Sequence, residues 1–175
     1  SRQLRALDEA LAAGVIDAGQ DGPSIAMAIK QATDEGALVA LLVDRARPGE
    51  PALNAQFLGR GAPFPTAPWL IASALKVPVV LAFGLYQGGH HYHLAFESFS
   101  DSIAVPRQQR AQAVLSLIQR YAARLEHHAR AAPYNWCNVY DFWGNEDEGS
   151  TPSALDAPRI VAVAQADADA AVPRR

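Results

Sequence analysis

Apolar residues recur along this chain in blocks whose spacing switches between helical and strand-like. Leu4, Leu7, Ala10 and Leu11 repeat at helical intervals, which predicts an amphipathic helix over 2–12 stopped at Gly14. Val15-Ile16-Asp17 reads as a short strand. After the loop 19–22, Pro23 and Ser24 open a helix that buries Ile25, Ala28, Ile29 and Ala32 and ends at Gly36. Ala37 to Val43 is apolar at every position, the pattern of a strand covered on both faces.

Residues 46–68 are rich in proline and glycine and read as a loop, interrupted by Ala55-Gln56-Phe57-Leu58. Thr66 stands where it would cap the next helix, with Pro68 in the first turn. Trp69 to Leu75 supplies that helix, and Val77 to Phe83 is a second wholly apolar strand. Gly88-Gly89 predicts a two-residue hairpin turn into a strand over His90 to Glu97. Pro106 then starts a helix of about seven turns carrying Val114, Leu117, Ile118, Tyr121 and Leu125 inward. This order predicts an α/β fold, a mostly parallel sheet flanked by helices with an antiparallel edge hairpin. Residues 1–145 hold that domain. Residues 146–175 read as a polar linker and loosely ordered tail with one small apolar run, Ile160 to Val163.

Composition narrows the function classes. With 175 residues and 50% hydrophobic content the chain can bury one core. A net charge of −3 argues against a generic nucleic-acid binder. Arginine outnumbers lysine 13 to 2, and guanidinium forks suit phosphate and carboxylate. The single Cys137 excludes an intramolecular disulfide. No apolar run approaches the roughly 18–20 residues of a membrane span. The chain opens on Ser1 and its only methionine is Met27, which reads as a piece of a longer protein. No Gly-x-Ser-x-Gly elbow, P-loop or Gly-x-Gly-x-x-Gly is present.

Candidate chemistry gathers in four places. Asp44-Arg45 follows a buried strand, at the sheet edge where α/β proteins bind ligands. Arg60 lies in the loop before the helix start at Thr66, whose free N–H groups favour an anion. On the strand after the glycine turn, alternation puts His91, His93, Ala95 and Glu97 on one face. Two histidines and a carboxylate are a possible zinc set, although a hairpin tip also suits solvated histidines. Tyr134, Trp136, Tyr140, Phe142 and Trp143 form an aromatic cluster suited to core packing, an acyl channel or a membrane face.

Several segments together resemble the late acyltransferases of bacterial lipid A biosynthesis, within the lysophospholipid-acyltransferase-like superfamily. They are Val43-Asp44-Arg45, Phe57-Leu58-Gly59, Pro63-Phe64-Pro65-Thr66, Phe96-Glu97, Tyr121 to Glu126 and Pro133 to Trp143. Against the family pattern, Val43 replaces the glycine before Asp44 and Ala67 replaces the glycine after Thr66. The family's catalytic histidine, with an acid five residues on, has no counterpart. Positions five after His90, His91, His93, His127 and His128 hold Ala95, Phe96, Ser98, Ala132 and Pro133.

The resemblance implies the C-terminal portion of an N-terminally truncated acyltransferase-like domain, inactive by itself. The complete enzyme would move a fatty acyl group from an acyl carrier protein or coenzyme A thioester to a lipid hydroxyl. It would need no cofactor beyond that co-substrate. Asp44, Arg45, Arg60, Thr66 and Glu97 would orient substrate, with no catalytic residue and no metal in this chain. It further implies work at the cytoplasmic face of the bacterial inner membrane, this piece being soluble. The Asn-x-x-x-Phe-Trp ending points toward a pigment or other lipid acceptor besides lipid A precursors. A truncated sheet leaves an edge open to a homodimer. The alternatives are a non-catalytic module that binds a carrier or lipid, and a metal-dependent enzyme built on His91 and His93.

Overall fold

A computed structural model describes residues 15–17, 21–46, 49–138, 142–143 and 160–164. The first elements are β1 (Val15–Asp17), α1 (Gly22–Asp34), β2 (Leu38–Ala40), β3 (Ala52–Phe57), β4 (Arg60–Pro65) and α2 (Ala67–Leu75). They are followed by β5 (Val79–Gly88), β6 (His91–Ser100), α3 (Arg110–Ala131) and β7 (Ile160–Ala164). The helix expected over 2–12 lies outside the described residues. So do Tyr140 and most of 146–175. The chain divides into two compact units, one formed from 1–42 with 156–175 and the other from 43–155.

In the smaller unit, α1 begins where Asp21 accepts hydrogen bonds from the Ser24 N–H (3.0 Å) and Ser24 hydroxyl (2.8 Å). Those bonds, led by the backbone N–H, hold the Asp21 carboxyl below its usual pKa. Gly36 ends the helix at φ 81°, where a side chain would be strained. The sheet order is β1-β7-β2, and both ladders are antiparallel. Ile160 to Ala164, expected inside a loose tail, is therefore the central strand.

The larger unit is built from two hairpins and a long helix. Leu58 (φ 51°) and Gly59 (φ 84°) both occupy the left-handed region, making the primed two-residue turn that closes β3 on β4. Counting back from the closing pair Phe57↔Arg60, Pro63 and Pro65 fall opposite Asn54 and Ala52, at positions that exchange no ladder bonds. Their missing N–H groups cost the hairpin nothing, which is why a segment that reads as a proline-rich loop forms strands. Phe57 and Phe64 become wholly buried. Rings of Tyr121, Trp136, Phe142 and Trp143 surround them at centroid distances of 4.8–6.3 Å.

α3 buries Val114, Ile118, Tyr121, Ala122, Leu125 and Ala129 along one stripe, close to the face its periodicity predicts. β5 and β6 pair antiparallel over ten residues each, with a bulge near the glycine turn.

The class is mixed α/β, as expected, but every ladder among the described residues is antiparallel. The parallel expectation came from wholly apolar strands. Such strands report that both faces are apolar and say nothing about direction. Tight turns at Leu58-Gly59 and Gly89-His90 pair β3 with β4 and β5 with β6, while β2 takes the distant β7 as its antiparallel partner. No described helix is long and apolar enough to cross a membrane.

Candidate functional site

β6 alternates as predicted, with Ala95 and Glu97 turned toward the core side and Leu94 and Phe96 exposed. Opposite Glu97, α3 presents Arg124 and His128 one turn apart, at the four-residue spacing that stacks side chains on one helix face. Arg124 grips the carboxylate with both arms, Nε to Oε2 at 2.7 Å and the terminal nitrogen to Oε1 at 2.8 Å. His128 Nε2 meets Oε1 at 2.8 Å, its ring lying 4.1 Å from the ring of Phe83. The Arg124 hydrogen bonds, aided by His128 and opposed by partial burial, hold Glu97 down to about 2 from an ordinary 4.5. Arg124 is raised in turn by the same contact. At neutral pH Glu97 is thus a fixed anion and a poor proton carrier. Its chemical use is to orient a guanidinium and an imidazole.

Asp44 and Arg45 pair with each other at 2.5 Å. Their charges act on Tyr121, whose pKa is raised first by burial and then by Asp44, with Arg45 opposing. Tyr121, Arg124 and His128 share one stripe of α3, so the Asp44–Arg45 pair and the Glu97 network address it at different turns. At 1.5 Å per residue the turns lie roughly 5–10 Å apart along the helix.

The other two predicted residues behave differently. Arg60, exposed, lies over the Trp143 ring at 5.4 Å to the centroid. Thr66 does not cap α2. Its backbone is already helical, and its hydroxyl donates to the Pro51 carbonyl at 3.2 Å while its N–H donates there at 3.1 Å. The helix N-terminus thus has no side-chain cap, and the expected capping role is corrected to a loop tie.

None of the five lines the shallow depression of about 550 Å³ between β3 and α3. Asn54 and Gln56 form one wall, and Gln112, Ser116, Gln119 and Arg120 the other. His91 and His93 are exposed near the hairpin tip, and no group of three metal-ligating side chains occurs among the described residues.

Sequence reasoning missed Arg124, His128 and Glu126, which accepts the Leu58 N–H at 2.7 Å. It also missed a set of carboxamides aimed at backbone, Gln119 on Gln56 and Asn135 on Tyr86. The signals present were the i, i+4 spacing of Arg124 and His128 and the segment Tyr121 to Glu126, which contains Arg124 and Glu126 but was given no residue roles. Comparison of the chain with protein-family models, with curated proteins and with solved structures finds no match.

Proposed function

We propose that this chain is part of an acyltransferase-like domain. It forms binding walls for transfer of a fatty acyl group from a carrier-protein or coenzyme A thioester to a lipid, glycolipid or pigment hydroxyl. One observation supports the reading. The separate segments that carry the resemblance pack on one another within residues 43–143. Phe57 touches Trp136, Phe142 and Trp143; Phe64 touches Tyr121; Glu97 binds Arg124; and Val43 packs against the same core. Segments spread over a hundred residues thus meet in one core.

The chemistry needs a general base to take the proton from the acceptor hydroxyl as its oxygen attacks the thioester carbonyl. In this proposal that base is a histidine with an acid five residues on, a pair these 175 residues lack. Asp44, Arg45, Arg60, Thr66 and Glu97 then orient substrate, Glu97 acting through Arg124 and His128. The work is done at the cytoplasmic face of the inner membrane, with the finer, mostly parallel acyltransferase architecture belonging to the whole domain. A carrier- or lipid-binding module without catalysis is the second reading, favoured by the same missing pair.

The test is acyl transfer in a chain that also carries the histidine–acid pair. Arg45→Ala or Glu97→Gln should lower the rate at least roughly tenfold, a barrier change of about 1.4 kcal/mol. Unchanged rates in both variants, or turnover by residues 1–175 alone, would sink the reading.

A further inference from the structure

Each hairpin of the larger unit has one strand edge occupied by a carboxamide. Gln119 accepts the Gln56 N–H at 2.9 Å and donates to the carbonyl of the same residue at 3.0 Å. Asn135 does the same for Tyr86 on β5, accepting its N–H and donating to its carbonyl at 3.4 Å. Each side chain fills the place a neighbouring strand would take, which blunts that edge against another chain.

The open face of β5–β6 has no such cover. Four alternate cross-strand pairs, from Val80↔Ser98 to Tyr86↔Tyr92, place eight residues there, all exposed and none charged. The five large side chains among them, Val80, Tyr86, Tyr92, Leu94 and Phe96, are 48–68% exposed. At the roughly 150–250 Å² that one aromatic side chain can bury, these five offer on the order of 600 Å² of mostly apolar surface. So large a patch is at the upper end of what a monomer leaves in water. With Ala82, Gly84 and Ser98 added, it approaches the roughly 800 Å² per partner of a standard interface.

The face is also shaped to fit itself. Its β6 side is a ridge of Tyr92, Leu94 and Phe96, and its β5 side is a trough at Ala82 and Gly84. Leu94 leans over Gly84, its Cδ2 3.7 Å from where a β-carbon would stand, which leaves the trough open at Ala82. A two-fold axis parallel to the strands, between two stacked faces, puts β6 of each copy over β5 of the other. Sheets stacked in this way lie about 10 Å apart with their side chains interdigitated. A lipid surface fits less well, because interfacial segments combine apolar residues with Lys and Arg, and this face carries neither.

We infer that two copies of the chain associate through this face, Phe96 of each seating over the partner's Ala82. The dimer is independent of acyl transfer. An interface of this size with no ion pair belongs at the weak, micromolar end of its class. On dilution the copies separate and the face opens to solvent.

Sedimentation equilibrium of the 175-residue chain over micromolar concentrations should show a reversible dimer. Phe96→Asp puts a charge into the interface and Ala82→Lys fills the trough, so each alone should weaken association at least about tenfold. Mixed, the two variants should form a heterodimer tighter than either homodimer, because the new carboxylate then lies over the new ammonium. Phe96→Ser should also weaken the dimer, which covers a failure of Phe96→Asp to fold. Gln119→Ala and Asn135→Ala should leave association unchanged. A monomer at every concentration, a dimer indifferent to Phe96 and Ala82, or no heterodimer in the mixture overturns the assignment. So does a dimer tightened by Gln119→Ala or Asn135→Ala, since the copies then pair edge to edge. Binding of the parent to anionic phospholipid vesicles that Phe96→Asp abolishes also overturns it, because the face then meets lipid.

Discussion

The two hairpins of the larger unit obey opposite rules. β3–β4 alternates over most of its length, with Ala55, Phe57, Ala62 and Phe64 inward and Asn54, Gln56 and Gly61 outward, until Pro65 is buried next to Phe64. β5–β6 is apolar on both sides. Leu81, Phe83 and Phe99 are buried, while Val80, Tyr86, Tyr92, Leu94 and Phe96 stand open, Phe96 at 68% exposure. Cross-strand partners Ala82↔Phe96, Gly84↔Leu94 and Tyr86↔Tyr92 join the open residues into one stripe. The first hairpin is complete within its unit. The second is written for two covers, and α3 supplies only one.

The sharpest way to break that contrast is truncation of one phenylalanine in each hairpin. Phe57→Ala should cost about 3–5 kcal/mol in urea unfolding, as expected for an aromatic ring lost from a closed core. Phe96→Ser should stay within about 0.5 kcal/mol of the parent. Similar losses at the two sites would erase the distinction. A subtler effect follows on the open stripe. Leu94→Ser combined with Phe96→Ser should reduce binding of a hydrophobic dye while leaving Tm nearly unchanged, and undiminished dye binding would locate the apolar surface elsewhere.

The smallest effect concerns acid. Glu97 has a folded pKa of about 2 against an ordinary 4.5, so its stabilising contribution is complete above pH 4.5 and fades as pH falls toward 2. Glu97→Gln should flatten the loss of Tm over that window, by about 1–2 °C. Glu126 and Asp21, also depressed, keep a residual slope in the variant. Coincident curves for parent and variant would mean that the Arg124–Glu97–His128 contact does not form in solution.

Legibility in the sequence followed the range of the forces involved. The stop at Gly36, the glycine turn before β6 and the buried stripe of α3 are set within a few residues and were readable, the turn one residue out because Gly88 still pairs with His91 and Gly89-His90 make the turn. The β3–β4 strands were not, because Pro63 and Pro65 look like breakers until pairing register puts them where no N–H is needed. Ile160 to Ala164 was hidden for a related reason. Five apolar residues, three of them β-branched, are too short a run amid a polar tail to declare a strand until β1 and β2 flank them. At the candidate site, Glu97 and its face were legible from alternation. The roles of Arg124 and His128 were not, since a segment match and a helical spacing do not say which carboxylate an arginine and a histidine will meet. Thr66 was misjudged because a good capping residue also makes a good donor to a nearby carbonyl.

The middle position of β7 sets the order of events during synthesis. β1 and β2 emerge more than a hundred residues before the strand that joins them, so their sheet cannot close until residues 160–164 have been made. The hairpins, α3 and the rings that pack on them all lie within residues 43–143 and can come together before β7 is made. A released chain that ends at residue 150 should therefore hold one finished half and one still waiting for its keystone.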